Sequence, residues 1–288
     1  MQQSTIFLLL AILLLAAAQF FMPTFFRFLI TDLMIFGTYV AAYNLAFGYT
    51  GLASLGHATF FGGGAYIFGL SVKWLAANMW TALLLALTAS CALAFVMGYF
   101  AIRVPMGIYF LVFTMVFSQI FYYYGASAIW LTGGDEGFPI PAQTLLAIGD
   151  LKLSMVNPTV NYYFVLIFFA ITIFVVKRIV ESPFGTVLKG IEQNDERCIF
   201  LGYNTSRYKL TTFVISGLFS GLAGALYALT YRHIAVGLLN IPFSVEVMVG
   251  SLIGGSGTLA GPVLGIWIMR SLYHYLGVFY VVYMIIIG

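Results

Sequence analysis

Charged side chains are what this sequence most clearly has little of. Lys, Arg, Asp and Glu make up 7% of its 288 residues, whereas roughly 25% of a typical soluble domain is charged. Apolar residues make up 62%. This number of charged side chains is too small to cover the surface of a water-soluble fold. The composition therefore excludes a soluble globular enzyme, a disordered chain and a nucleic-acid binder. It predicts an all-α polytopic membrane protein with helices that are apolar on nearly every face.

The sequence also lacks the motifs of nucleotide binding and catalysis. It contains no P-loop, no GxGxxG followed by an acid, no GxSxG and no HExxH. Its two cysteines, Cys91 and Cys198, form no cluster that would hold a metal. We therefore expect a non-catalytic chain without a cofactor, driven by another chain or by an ion gradient. Asp32 and Glu246 are the only carboxylates near the membrane interior, which argues against proton coupling.

Apolar runs divide the single domain, 1–288, into about ten transmembrane or re-entrant helices, since a spanning helix needs about 20 apolar residues. The predicted spans are 5–22, 28–47, 53–72, 79–101, 107–124, 160–177, 210–230, 243–259, 261–276 and 278–288. Two of them, 53–72 and 243–259, are rich in glycine and are predicted to be broken or re-entrant. The span 278–288 is too short to cross a bilayer. The chain is therefore expected to stop inside its last helix or to end at the membrane interface.

The distribution of charge predicts the orientation. The loop 177–209 contains six of the twelve Lys and Arg residues, which predicts a cytoplasmic position. The loop 125–159 is acidic and is predicted to face outward, with a tight turn at LTGGDEGFP. Its acidic residues are Asp135, Glu136 and Asp150. Alternation of the spans then places the N-terminus in the cytoplasm. The apolar start, which ends in three alanines, also resembles a signal peptide, but it lacks the basic n-region.

Two glycine-rich segments, 44–69 and 244–265, carry polar residues through otherwise apolar sequence. Exposed backbone is costly in hydrocarbon, so such segments lie against protein or a water-filled cavity. They indicate either close helix packing through small residues or a substrate pathway built from broken helices. The candidate pathway residues are Asn44, Ser54, His57, Thr59 and Glu246.

Two of these candidates have a second interpretation. His57 is either hydrogen-bonded to a neighbouring helix or part of a proton relay, and a relay would need an acidic partner at depth. Glu246 either caps a helix N-terminus or lines the pathway.

The loop 182–210 is the only sustained polar amphipathic stretch. It predicts one helix over 185–200, started by Ser182 and Pro183 and stopped by Gly202. Such a helix is either a solvated connector or a docking element for a cytoplasmic partner. Its predicted apolar anchors are Val187, Leu188, Ile191 and Ile199. Its predicted charged rim is Glu192, Asp195, Glu196 and Arg197.

Six motifs, taken together and in this order, carry a resemblance to a known family over most of residues 30–270. They are GYTGLASLGHATFFGGGAYIFG, GIYFLVFTMVFSQI, LTGGDEGF, SPFGTVLKGIEQNDERCIFLGYN, YKLTTFVISGLFSGLAGALYAL and SVEVMVGSLIGGSGTLAGPVLG. The chain resembles the permease subunits of bacterial branched-chain amino acid ABC transporters of the high-affinity uptake type.

The resemblance implies an ABC importer permease fold in the bacterial cytoplasmic (inner) membrane. It implies a heterodimer with a second related permease, two ATPase subunits that use ATP-Mg, and a periplasmic substrate-binding protein. The loop 182–209 matches the family's cytoplasmic coupling loop, although Arg197 and Cys198 stand where small residues are usual. The implied coupling residues are Ser182, Pro183, Phe184, Leu188, Ile191, Glu192, Asp195, Glu196, Arg197 and Gly202.

Two alternatives to a branched-chain amino acid permease stay open. The same family includes permeases for urea, for short-chain amides and for other amino acids, including other hydrophobic ones, and no residue of this sequence selects among these substrates. A stand-alone secondary transporter or channel is the alternative from another class. The coupling helix and the scarcity of buried coupling charges favour the ABC importer.

Overall fold

The computed structural model describes residues 2–104, 107–148 and 151–287, so Asp150 lies outside the described residues. The long apolar runs form helices, as the composition predicts. The helices are α1 (Gln2–Ala18), α2 (Thr24–Thr50), α3 (His57–Leu75), α4 (Met79–Ala101), α5 (Ile108–Ser127), α6 (Ile129–Thr132), α7 (Pro158–Val180), α8 (Pro183–Gln193), α9 (Asp195–Phe200), α10 (Thr205–Tyr231), α11 (Ile241–Gly254) and α12 (Gly261–Ile287).

Within the described residues, five helices are long and apolar enough to cross a membrane: α2, α4, α5, α7 and α10. The 14 residues of α11 would extend only about 21 Å at 1.5 Å per residue, short of the ~30 Å hydrocarbon core. The backbone is likewise non-helical at 51–56, before α3. Both glycine-rich segments are therefore broken, as predicted. The predicted break near residue 277 is wrong, because α12 is continuous and joins the last two predicted spans.

The core of the bundle forms around α2 and α10. The most apolar stretch of α2 is 72% buried, whereas that of α5 is 22% buried. A helix that is apolar on every face is typical of such a central position, because all of its sides pack against protein. In contrast, α4 and α5 bury one side and leave large apolar side chains such as Phe95 and Ile120 exposed, as expected of helices at the periphery.

Small residues allow α3 and α10 to pack closely. A Cβ atom at Gly64 would overlap the backbone of Gly221, and one at Gly224 would overlap the carbonyl of Phe61. Glycine at these positions therefore brings two backbones together, as in other membrane helix pairs. The interpretation of the first glycine-rich segment as close helix packing is confirmed for α3 and α10. A pathway along other faces of these helices stays a prediction.

The loop that was predicted to face outward contains short strands. Phe138–Pro139 (β1) pairs antiparallel with His233–Ile234 (β4), and Thr144–Ile148 (β2) pairs with Leu151–Ser154 (β3). The predicted turn is confirmed: Gly134–Glu136 form a 3-10 turn, flanked by glycines with positive φ. Asp135 and Glu136 are both exposed.

The bundle thus has two distinct ends. The strand end contains β1–β4, and the other end contains α8 and α9. Helix α1 runs antiparallel to α7, because Tyr162 near the start of α7 donates a 2.7 Å hydrogen bond to the Leu15 carbonyl near the end of α1, while Ile12 and Ile173 line the same apolar cavity. The start of α1 therefore lies toward the α8–α9 end.

Candidate functional site

The two glycine-rich segments, which are far apart in sequence, meet inside the bundle. We call the contact between residues 44–59 and residues 244–258 the glycine-rich junction. Asn44 on α2 donates from Nδ2 to the Thr258 carbonyl at 2.8 Å and accepts at Oδ1 from the Gly257 amide at 3.1 Å. This one side chain therefore holds the turn between α11 and α12 against α2.

Further hydrogen bonds connect the junction to neighbouring helices. Ser251 on α11 donates to Asn44 Oδ1 at 3.3 Å. The backbone amide of Ala58, in the first turn of α3, donates to Ser244 Oγ at 2.8 Å. The amide of Leu55 donates to Thr114 Oγ1 on α5 at 3.2 Å. These bonds satisfy the backbone amides of Leu55 and Ala58 at the start of α3, and an unpaired amide is costly at membrane depth.

Ser54 and Thr59 lie inside the junction and are fully buried. The Ser54 hydroxyl accepts from the Gly56 amide at 3.1 Å, which stabilises the non-helical segment before α3. The Thr59 hydroxyl has no hydrogen-bond partner among the described residues. Both side chains are closed off from solvent in this structure, and their role in transport stays a prediction.

His57 forms a hydrogen bond to a neighbouring helix. Its Nε2 lies 2.8 Å from Ser216 Oγ on α10. The Ser216 hydroxyl donates its single hydrogen to the Ala42 carbonyl at 2.6 Å, so the imidazole acts as the donor to Ser216. Aromatic rings surround the imidazole, and none of them is an acid; they are Tyr43, Phe60 and Phe213. The packing interpretation of His57 is confirmed.

A cluster of charged residues lies nearer the strand end; it comprises Asp32, Tyr231, Glu246, Arg270 and His274. Arg270 donates from Nε to Asp32 Oδ2 at 2.8 Å and from Nη1 to Glu246 Oε1 at 2.5 Å. Tyr231 donates to Asp32 Oδ1 at 2.7 Å. His274 Nε2 lies 3.5 Å from Asp32 Oδ2. We call this group the charged cluster.

The charged cluster assigns Glu246 to an ion pair and not to a helix cap. Asn240 is the N-cap of α11, and its side chain accepts from the Ile241 amide at 2.8 Å. Glu246 is the sixth residue of that helix, beyond the first turn where a capping carboxylate acts. The capping interpretation of Glu246 is therefore wrong. The guanidinium of Arg270 also lies 3.4 Å from the centre of the Phe36 ring, a cation–π contact.

The predicted coupling helix is two helices. Ser182 caps α8 by accepting from the Gly185 amide at 3.4 Å, and Pro183 is its first residue. Asn194 then leaves helical geometry, and its side chain accepts from the Arg197 amide at 2.8 Å to start α9. One continuous helix over 185–200 is therefore wrong, because the Asn194 side chain caps a new helix. The predicted start at Ser182 and stop at Gly202, which has φ +89°, are confirmed.

Leu188 and Ile191 are buried within the chain itself. Leu188 belongs to a small core with side chains of α2 and α7, which are Leu45, Tyr49, Val176 and Val180. Leu188 and Ile191 were predicted as apolar anchors for a partner, but both side chains are buried within this chain and are therefore closed to a groove on another protein. Phe184 has a similar role, since its ring stacks on Tyr208 with 5.1 Å between ring centres.

An apolar surface is exposed at the end of α9 instead. Phe200 is 88% exposed, and its neighbours leave large parts of their side chains free. We call this surface the α9 tip; it comprises Ile199, Phe200, Leu201 and Tyr203. Beside it Glu192, Glu196 and Arg197 are exposed, as predicted for a rim. Asp195 differs from that prediction, because it pairs with Lys209 of α10 at 2.5 Å.

Two features of the site were not assigned from the sequence. The first is Arg270, which pairs with Asp32 and Glu246. The sequence feature that could have identified it is a single arginine inside the apolar run of α12. Phe200 is the second, and its signal is the run Ile199–Leu201 at the end of the only polar loop.

Comparisons with known proteins relate this chain to transport permeases. A family model described as branched-chain amino acid transport system / permease component matches residues 25–288. The high-affinity branched-chain amino acid transport system permease protein LivM of Escherichia coli (strain K12) is 28% identical over 270 residues, which cover 87% of this chain and 63% of that protein. No solved structure matches the chain.

Two further relatives carry similar names. The protein of the same name from Salmonella typhimurium is 28% identical over 234 residues, covering 75% of this chain and 55% of that protein. The probable branched-chain amino acid transport permease protein LivM of Methanocaldococcus jannaschii is 23% identical over 271 residues, covering 81% of this chain and 77% of that protein. The chain therefore spans less than two thirds of the length of the two bacterial relatives.

Proposed function

Because the chain belongs to the family of branched-chain amino acid transport system permeases, we propose that it is a membrane-spanning subunit of an ABC importer. Its substrates in this proposal are branched-chain amino acids, and it has no catalytic activity of its own. ATP-Mg is hydrolysed by two partner ATPase subunits, a second related permease completes the pore, and a periplasmic binding protein delivers the substrate. The named relatives support the substrate class.

The α9 tip is the observation that carries the ATPase part of this proposal. Exposed apolar patches that are rimmed by polar residues mark interaction sites in other proteins. The tip extends from α9, which is held on α10 by the ion pair between Asp195 and Lys209. Helix α8, directly before α9, is anchored on the bundle by Leu188. A partner that binds the tip would therefore apply force to α2, α7 and α10 and not to a loose loop.

The orientation in the membrane in this proposal follows from the basic residues at the α8–α9 end. The α8–α9 end carries the excess of Lys and Arg, which supports a cytoplasmic position, and the start of α1 lies toward that end. The strand end then faces the periplasm in a bacterial inner membrane. Its exposed acidic turn at Asp135 and Glu136 is available to the binding protein there.

Reconstitution with partner subunits of the same transporter tests the proposal. Proteoliposomes that contain the chain, the second permease, both ATPases and the binding protein should take up leucine, isoleucine and valine only when ATP is supplied. An ATPase variant that binds but does not hydrolyse ATP is the matched control and should abolish uptake. Uptake of urea or short-chain amides in place of these amino acids would refute the substrate. Uptake without ATP would refute the importer.

A further inference from the structure

The charged cluster reaches the surface of the chain at membrane depth. Asp32 is fully buried, whereas the side chains of Arg270, Glu246 and His274 are 12%, 21% and 32% exposed. Asp32 is the ninth residue of α2, so it lies about 12 Å from the start of that helix at 1.5 Å per residue. The exposed atoms are therefore in the half of the bundle nearer the strand end, beside a stretch of α2 that is apolar enough to span a membrane.

A surface of this kind does not face lipid. Ionised side chains at membrane depth are costly in hydrocarbon and almost always face the protein interior or a water-filled cavity. The apolar cavities of the bundle, in contrast, are lined by side chains suited to lipid contact, as between α1, α7 and α12. The face of α11 and α12 that carries the cluster is therefore the face turned toward water or toward a second permease.

The internal contacts of the cluster leave part of its bonding capacity unused. A guanidinium has five N–H donors, and in the described part of the chain Arg270 uses three of them, on Asp32 and Glu246. Glu246 accepts at Oε1, and no described residue bonds its Oε2. Two carboxylates, those of Asp32 and Glu246, face the single guanidinium of Arg270. Arg270 therefore keeps unused donors, and Glu246 keeps an unused acceptor oxygen, within the same ion-paired group.

We propose that the charged cluster is a contact point for the zwitterionic backbone of an amino acid that passes through the importer. The α-ammonium would bind Glu246, and the α-carboxylate would accept the free N–H groups of Arg270, as planar guanidinium groups favour. Asp32 acts as a positioning residue, because it is buried and orients the guanidinium. This inference rests on the proposed function and adds the part of the substrate that the permease itself recognises.

Cysteine protection tests this contact without altering its charges. Val249 lies three residues after Glu246 on α11, so it is close to the same face, and its side chain is partly exposed. In a variant without the native Cys91 and Cys198, Val249→Cys should react with a charged, water-soluble thiosulfonate in the complete complex. Phe95→Cys on the exposed lipid-type face of α4 is the matched control and should not react, because the charged reagent does not enter lipid.

Leucine should slow the reaction of Val249→Cys about fivefold when its concentration is about four times its Kd, since protection follows 1 + [L]/Kd. Isocaproate, which lacks the ammonium, and isoamylamine, which lacks the carboxylate, should not protect. Glu246→Gln in the same background keeps the volume but removes the charge, and it should abolish protection by leucine.

Three results would overturn the inference. The first is an unreactive Val249→Cys, which would mean that a partner seals this face. The second is a reaction that leucine does not slow, which would make the cluster purely structural. The third is equal protection by leucine and its two analogues. ATP-dependent uptake of leucine by the unaltered complex, measured in the same vesicles, shows separately whether the proposed function holds.

Discussion

Leu188 and Phe200 lie 12 positions apart in the same loop, and the structure predicts opposite effects when each is changed to alanine. Leu188 is fully buried against α2 and α7, whereas Phe200 is almost fully exposed. The amphipathic pattern predicted Leu188 as a docking anchor and did not assign Phe200. The structure places Leu188 in the core of the chain, and the proposed function gives the exposed Phe200 a role in association with the ATPase.

The sizes of the two effects follow from burial. Truncation of a fully buried leucine typically costs about 2–5 kcal/mol, depending on how far the cavity collapses. Leu188→Ala should therefore lower the thermal stability of the purified permease. Phe200→Ala removes almost no internal contact, so its effect on stability should stay within about 0.5 kcal/mol. If Phe200 is an anchor of the interface, its loss costs about 2 kcal/mol of binding, which weakens ATPase association by about 30-fold.

Thermal unfolding in detergent measures the first quantity, and titration of the ATPase subunits onto immobilised permease measures the second. Phe95→Ala, a change of an exposed aromatic residue on α4 that lies outside the loop 182–209, is the matched control and should alter neither. A Leu188→Ala variant with unchanged melting temperature and lost ATPase binding would contradict the reasoning. So would a Phe200→Ala variant that binds as tightly as the unaltered permease.

Three further predictions concern the junction, the loop and the orientation. Asn44→Ala should destabilise the permease by about 2–3 kcal/mol in a denaturation assay, because it leaves buried polar groups of the α11–α12 turn unpaired; Asn44→Asp is the comparison of equal size. Lys209→Met should cost about 1–3 kcal/mol by isolating Asp195, and a variant that also changes Asp195 to Asn should recover part of that loss. With the native cysteines replaced, an impermeant thiol reagent outside intact cells should modify Glu136→Cys and spare Glu192→Cys, and the reverse pattern would invert the topology.

The sequence predicted the fold class and most of the helices, because the fold class follows from composition and the helices follow from the lengths of the apolar runs. It predicted the start and stop of the coupling loop because Ser182, Pro183 and Gly202 act locally. It did not predict the break at Asn194, since an asparagine can continue a helix or cap a new one, and only the fold decides. The sequence also could not show whether the apolar face of α8 packs against another protein or against the core of this chain. Both surfaces require the same apolar side chains.

The charged cluster was beyond sequence reasoning for a related reason. Asp32, Glu246 and Arg270 are each a single charge in an apolar run, separated by up to 238 positions. Scarcity identified the two carboxylates as unusual. Their common partner became visible only when α2, α11 and α12 were placed side by side.

Helix α2 connects the two ends of the molecule that the proposals assign to energy input and to substrate. Its last residues lie against α8, since a Cβ atom at Gly51 would come within 3.8 Å of Glu192, and Asp32 in its other half orients Arg270. About 27 Å of helix separates Asp32 from Thr50 at 1.5 Å per residue, and its middle is buried on all sides. An ATPase can respond to substrate only through contacts that differ between two states of the permease.

Asn44 lies on that helix between the two ends and ties it to the α11–α12 turn, so a shift of α2 would also move the helices that carry Glu246 and Arg270. This linkage requires no flexible element, because packed helices move as units. Asn44→Ala should consequently reduce the stimulation of ATP hydrolysis by substrate, even at a temperature where the variant is fully folded. Full stimulation in a folded Asn44→Ala complex would show that the coupling takes another path.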